Sequence, residues 1–135
     1  MARPRSTRPT DGELAILNVL WQRGPSTVRE VHDTLRARNA ARRPSSVGYT
    51  SVLKLMQIMT EKGLVRRDED SRSHVYRAAV PQDKTQRRIV RELLDRVFGG
   101  SARALVMHAL SAKPASPEEL AHIRRMIDEY EGGKS

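Results

Sequence analysis

The chain contains no cysteine, which removes disulfides, thiolate nucleophiles and cysteine-based zinc or copper sites together. Aromatic residues are scarce, with one tryptophan, one phenylalanine and three tyrosines among 135 residues. No apolar run approaches the roughly 20 residues that a membrane span requires, and no apolar segment of the secretory kind follows the basic start Met1-Ala2-Arg3-Pro4-Arg5. The sequence also lacks a glycine-rich phosphate loop, a His-x-x-x-His or His-Glu-x-x-His pair, and carboxylates grouped among apolar residues. These absences lead to the expectation of a cytoplasmic protein that is not an enzyme, inserts in no membrane and takes no cofactor. His32, His74, His108 and His122 fall on different elements. No metal site is expected from them, because even His108 and His122 together would make a weak ligand set.

Positive charge is what the sequence has in excess. The formal net charge is +9 and the isoelectric point near 10.8, a balance that suits a polyanionic partner. The charge is uneven: residues 1–80 carry 15 Lys and Arg against 8 Asp and Glu, and residues 81–135 carry 10 against 8. The polyanion is therefore expected to meet the front half.

Three capping-box patterns mark helix starts: Thr10-Asp11-Gly12-Glu13, Thr27-Val28-Arg29-Glu30 and Ser116-Pro117-Glu118-Glu119. In each, the hydroxyl accepts from a free helix amide while the glutamate reaches back. Leu14, Leu17, Leu20 and Trp21 recur at helical spacing up to Gly24-Pro25, which predicts a first helix over about 11–22. Val28, Val31 and Leu35 predict a second over about 27–38, followed by a basic loop with Arg42-Arg43. Val52, Leu55, Met56 and Met59 predict a third over about 47–62, with Gly63 as its left-handed cap. Two β-capable runs, Leu64–Arg67 and His74–Ala79, flank a polar turn and read as a hairpin. Leu14, Leu17, Trp21, Val31, Leu35, Val52, Leu55, Met56 and Leu64 form the expected core, with Trp21 a core aromatic rather than a base-stacking platform.

Three helices and a hairpin follow one another in the order of the winged helix, whose third helix enters the DNA major groove. The fold class is thus mainly α with a small β-hairpin: a winged helix-turn-helix domain and a C-terminal helical arm. The face of helix three opposite its apolar stripe carries Thr50, Ser51, Lys54 and Gln57, polar, short and lightly cationic as base reading requires. Ser46 and Tyr49 at its start complete the reading set. Arg42, Arg43 and Arg72, with Arg66 and Arg67, are candidates for phosphate contact, which fixes register without reading sequence.

Beyond Pro81 three more helices are predicted, with Gly99-Gly100 separating the first two. Their apolar stripes, Val90, Leu93, Leu94, Val97 and Phe98, then Leu105, Val106 and Leu110, then Ile123 and Ile127, are too wide for three short helices to cover. A second copy is expected to cover them, and a homodimer implies a two-fold, near-palindromic operator in double-stranded DNA. The plan is a disordered basic tail over 1–9, a reader over 10–80, a three-helix dimerisation region over 81–131 and a disordered tail over 132–135. The competing reading is a winged-helix protein-interaction subunit without sequence-specific DNA binding.

The run Asp11-Gly12-Glu13-Leu14-Ala15-Ile16-Leu17-Asn18-Val19-Leu20-Trp21, then Ser26-Thr27-Val28-Arg29-Glu30-Val31, then Tyr49-Thr50-Ser51-Val52-Leu53-Lys54 and Glu61-Lys62-Gly63-Leu64-Val65, resembles the penicillinase-repressor family of the BlaI, MecI and CopY types. The resemblance implies a dimeric winged-helix repressor with interlocking C-terminal helices, set on promoters of β-lactam- or metal-response genes. The ending Glu131-Gly132-Gly133-Lys134-Ser135 lacks the cysteine-rich hook of CopY types, so the likeness is to BlaI and MecI. Those are released when a membrane sensor system leads to cleavage of an Asn–Phe bond in the arm. The corresponding place here falls near His108-Ala109, without that dipeptide.

Overall fold

The computed structural model describes residues 8–39, 48–68 and 74–133. Its elements run α1 (Asp11–Arg23), β1 (Ser26–Thr27), α2 (Val28–Asn39), α3 (Tyr49–Lys62), β2 (Val65–Asp68), β3 (Val75–Ala78), α4 (Gln82–Arg96), α5 (Ala102–Ala112) and α6 (Pro117–Gly133). Winged helix plus C-terminal helices is the architecture observed. Compact packing divides the chain into a unit ending at Ile89 and a unit beginning at Val90, a division inside α4.

The capping boxes start α1 and α2 as their spacing predicts. Glu13 N donates to Thr10 Oγ1 at 3.2 Å while Thr10 N donates to Glu13 Oε1 at 3.0 Å. Thr27 and Glu30 repeat the exchange at 3.1 and 2.9 Å. At α6, Glu119 N donates to Ser116 Oγ at 3.0 Å, and Pro117 occupies the first helical position, where a missing N–H costs nothing. Helix α3 ends at Gly63, whose φ of 83° and ψ of 14° lie in the left-handed region. There Gly63 N donates to Thr60 O and Leu64 N to Met59 O, the paired bonds of a Schellman cap.

Two features differ from the sequence reading. Helix α1 buries Ile16 and Val19 as well as Leu17 and Leu20, because α2, α3 and β3 all pack around it; Leu14 and Trp21 are only half-buried. The hairpin also gains a third strand. Ser26 and Thr27 pair antiparallel with Tyr76 and Val75, so the sheet order is β1-β3-β2 with β3 central. Tyr76, opposite both Ser26 and Arg67, is 2% exposed. The core closes over Val28, Val31, Leu35, Val52, Met56, Met59, Leu64 and Val65, each such side chain contributing about 1.5–3 kcal/mol if fully buried. Trp21 packs its ring against this core and donates Nε1–H to Val80 O at 3.1 Å, bridging the end of α1 to the residue before Pro81.

Among the described residues α4, α5 and α6 bury none of their side chains. Gly99 and Gly100, at φ of 57° and 82°, make the turn that ends α4, and Ser101 Oγ accepts from Ala104 N to start α5. Helix α6 continues through Gly132 and Gly133, two residues beyond the ordered end expected at 131. At the front of the chain, Pro9 is already buried.

Candidate nucleic-acid interface

Helix α3 is amphipathic in the way a groove-reading helix must be. Val52, Met56 and Met59 are fully buried, and Leu53 and Leu55 are half-buried against the same core. On the other side Tyr49, Thr50, Ser51, Lys54 and Gln57 are all exposed. The side chains of Thr50, Ser51, Lys54 and Gln57 have no hydrogen-bond or ion-pair partner among the described residues. The helix begins at Gly48, which supplies no capping side chain, and its first turn contains no acid. Among the described residues no side chain caps its leading amides, which with the positive end of its dipole suit an anion or water. Arg42, Arg43, Ser46 and Arg72, the other expected contacts, lie outside the described residues.

Sequence reasoning missed two neighbours of Tyr49. The Arg29 guanidinium lies over the Tyr49 ring, 5.3 Å from its centroid, and the His32 ring meets it edge-on at 6.0 Å and 72°. Both come from α2, where Arg29, His32 and Arg36 follow the i, i+3, i+7 spacing of one helix face. That stripe was the available signal. The stack holds Arg29 at the start of α3 as a preset cation. His32 also contacts Asp33 Oδ1 through Nδ1 at 3.2 Å.

The far end of α3 is held by charge. Lys62 Nζ donates to both carboxylate oxygens of Glu13, at 2.9 and 3.0 Å, and the Glu13 side chain is 3% exposed against 29% for that of Lys62. Burial pushes the Glu13 carboxyl upward, but Lys62 and Thr10 together outweigh it and hold the group below the usual carboxylate range. One glutamate thus caps α1 and ties down the last turn of α3.

In the unit beginning at Val90 the expected dimerisation residues stand as apolar surface. Val90 and Leu93 are 41% exposed, Val97 62%, Val106 50% and Ile127 53%, while Leu94, Phe98, Leu105, Leu110 and Ile123 are half-buried. His108 and Ala109 sit inside α5, with Ala109 O accepting from Lys113 N and the His108 ring 5.7 Å from Phe98. His122 instead contacts Arg125, so the two histidines take different partners. Among the described residues no three potential ligands gather for a metal, and no helix is long and apolar enough to cross a membrane.

A core-anchored third helix with a polar face, a wing of β2 and β3 that pairs back to β1, and a helical appendage define a winged-helix regulator. Residues 9–129 match the model of the penicillinase repressor family, and the chain belongs to that family. It is 32% identical over 129 residues to proteins named transcriptional regulator BlaI in Mycobacterium tuberculosis strains CDC 1551 / Oshkosh and ATCC 25618 / H37Rv, covering 94% of this chain and 88% of each relative. Family membership makes the protein a transcriptional regulator and not an enzyme.

Proposed function

We propose that the protein is a cytoplasmic homodimeric repressor that binds a near-palindromic operator by placing α3 in the major groove. The observation that carries this reading is the outward face of α3: Thr50, Ser51, Lys54 and Gln57, exposed and without a partner among the described residues, on a helix whose other side is locked in the core. A groove about 12 Å wide takes such a helix, and those side chains can bond base edges. Arg29 on Tyr49, with Arg42, Arg43 and Arg72, would supply phosphate contacts that set register. Residues 10–80 act as the reader and residues 81–131 as the pairing region.

Dimerisation is supported by the apolar faces of α4, α5 and α6, since helices that fully bury no side chain of their own gain little stability alone in water. Joining two readers makes the second half-site contact intramolecular, which multiplies affinity without any new contact. The genes controlled are of the β-lactam-response or stress-response type, as the family suggests, with a membrane sensor protease system or a dimer-loosening ligand as the release signal.

A gel shift on the protein's own upstream region tests the reading. The wild type retards that duplex in preference to a scrambled one, and Lys54→Ala costs about 1–3 kcal/mol and alters base preference. Equal affinity for both duplexes would favour a protein-interaction subunit instead.

A further inference from the structure

The register of the wing places two arginines face to face. Arg66 on β2 is directly opposite Arg77 on β3, and both are exposed. They lie on the outward side of the hairpin, since their neighbours Val65 and Tyr76 point into the core. Directly opposed like charges destabilise an antiparallel pair. Neither arginine has a hydrogen-bond or ion-pair partner among the described residues, and across the same face of the hairpin Asp68 stands opposite Val75.

Among the described residues no acid is paired with either arginine, and an anion brought from outside would relieve the pair. Opposed residues stand about 4.5–5.5 Å apart at their Cβ atoms, so two long side chains can converge on one small anion. Guanidinium forks match a phosphate bidentately. The place also fits the groove-reading helix: Arg66 lines a surface pocket with Thr60, Gly63, Val65, Arg67 and Ala79, which joins the last turn of α3 to the wing.

We infer that Arg66 and Arg77 together seat a single backbone phosphate of duplex DNA, beside the groove that α3 enters. The assignment rests on the DNA-binding function proposed above. The alternative role for these charges is protective, because β2 is an edge strand of the sheet and charged side chains discourage edge-to-edge pairing.

The test compares the full chain with Arg66→Gln, Arg77→Gln and the double variant. Two probes are used, a duplex of the protein's own upstream region and a duplex of arbitrary sequence, each titrated over about 50–200 mM salt. The shared seat requires each single variant to weaken both duplexes alike. It also requires the double variant to flatten the slope of log K against log salt by no more than about 0.9, the share of one phosphate. The melting temperature of the free variants stays level or rises, since a repulsion has been removed. Slopes unchanged from a wild type that binds well would overturn the seat while leaving the DNA-binding reading intact. A double-variant loss near twice that share would mean two separate phosphates and would also overturn it. Melting points that fall, or variants that aggregate without a change in slope, would assign the pair to edge protection. A wild type that binds neither duplex would remove the underlying function instead.

Discussion

Lys62→Met should destabilise the reader more than Glu13→Gln does, although the two substitutions break the same ion pair. Glu13 is the buried partner, with a side chain 3% exposed, and Lys62 keeps 29% of its side chain in contact with solvent. When Glu13 is neutralised, Lys62 can turn its ammonium to water, and Gln retains an oxygen for the Thr10 amide. The loss is then a charge-assisted bond, at the lower end of about 1.5–3 kcal/mol because Lys62 is partly solvated already. When Lys62 is removed, a carboxylate stays buried with Thr10 as its main remaining support. Uncompensated buried charges cost about 3–5 kcal/mol, and the hydrogen bond retained from Thr10 N puts the value near the lower end. On a reader of this size that is a fall in melting temperature of about 10 °C or more. The pH dependence has a fixed sign. In the wild type the Glu13 carboxyl is held below its ordinary value, so its stabilisation is complete above the unfolded carboxylate pKa and is lost as pH falls through the folded one. In Lys62→Met the penalty falls on the charged form, so the deficit against wild type shrinks as the pH drops from 7 towards 4. Urea denaturation at several pH values reads both effects. Glu13→Gln proving the worse substitution, or a Lys62→Met deficit that is flat with pH, would refute the reasoning.

Gly63→Ala forces a Cβ into the left-handed conformation at φ 83° and should cost about 1–2 kcal/mol, read by thermal melting; an unchanged melting temperature would show that the cap relaxes freely. Gly12→Ala, in the first turn of α1 where a new Cβ meets only Leu55 Cδ1 at 3.4 Å, should raise stability by up to about 1 kcal/mol through helix propensity, and a loss would mean that Leu55 cannot yield. Leu94→Asp should leave monomers in sedimentation, because a charge cannot be buried in an apolar interface; an intact dimer would place the interface elsewhere. Within residues 90–133, limited proteolysis should cut the connections 97–101 and 113–116 before the His108–Ala109 bond, which is inside α5. A first cut within α5 would show that this helix opens readily.

Local signals made most of the fold legible. Capping hydroxyls three residues before a glutamate, and a glycine after the last apolar position, mark helix ends because they satisfy orphan backbone groups close in sequence. Strand β1 escaped notice because Ser26 and Thr27 are too few to show any alternation, and Thr27 already had a role as the cap of α2. Ile16 and Val19 lay off the single stripe assigned to α1, since the sequence does not state how many partners will surround a helix. The bare face of α3 followed from periodicity. The Glu13–Lys62 tie spans 49 residues, and the stack of Arg29 and His32 on Tyr49 depends on how α2 crosses α3. The first leaves no mark in local spacing, and for the second the stripe of Arg29, His32 and Arg36 marks a helix face without naming the residue it meets.

The bond from Trp21 to Val80 makes the protein its own optical probe. With one tryptophan in the chain, all indole emission comes from a single place, the ring that is half in the core and bonded through Nε1–H to the carbonyl just before Pro81. Any event that pulls residue 80 away from the end of α1 breaks that bond and bares the ring, and it registers as a red shift and as greater quenching by a neutral solute. Loosening where the reader hands over to α4 can therefore be followed in the unlabelled wild-type chain, apart from global unfolding, while DNA or another ligand is added.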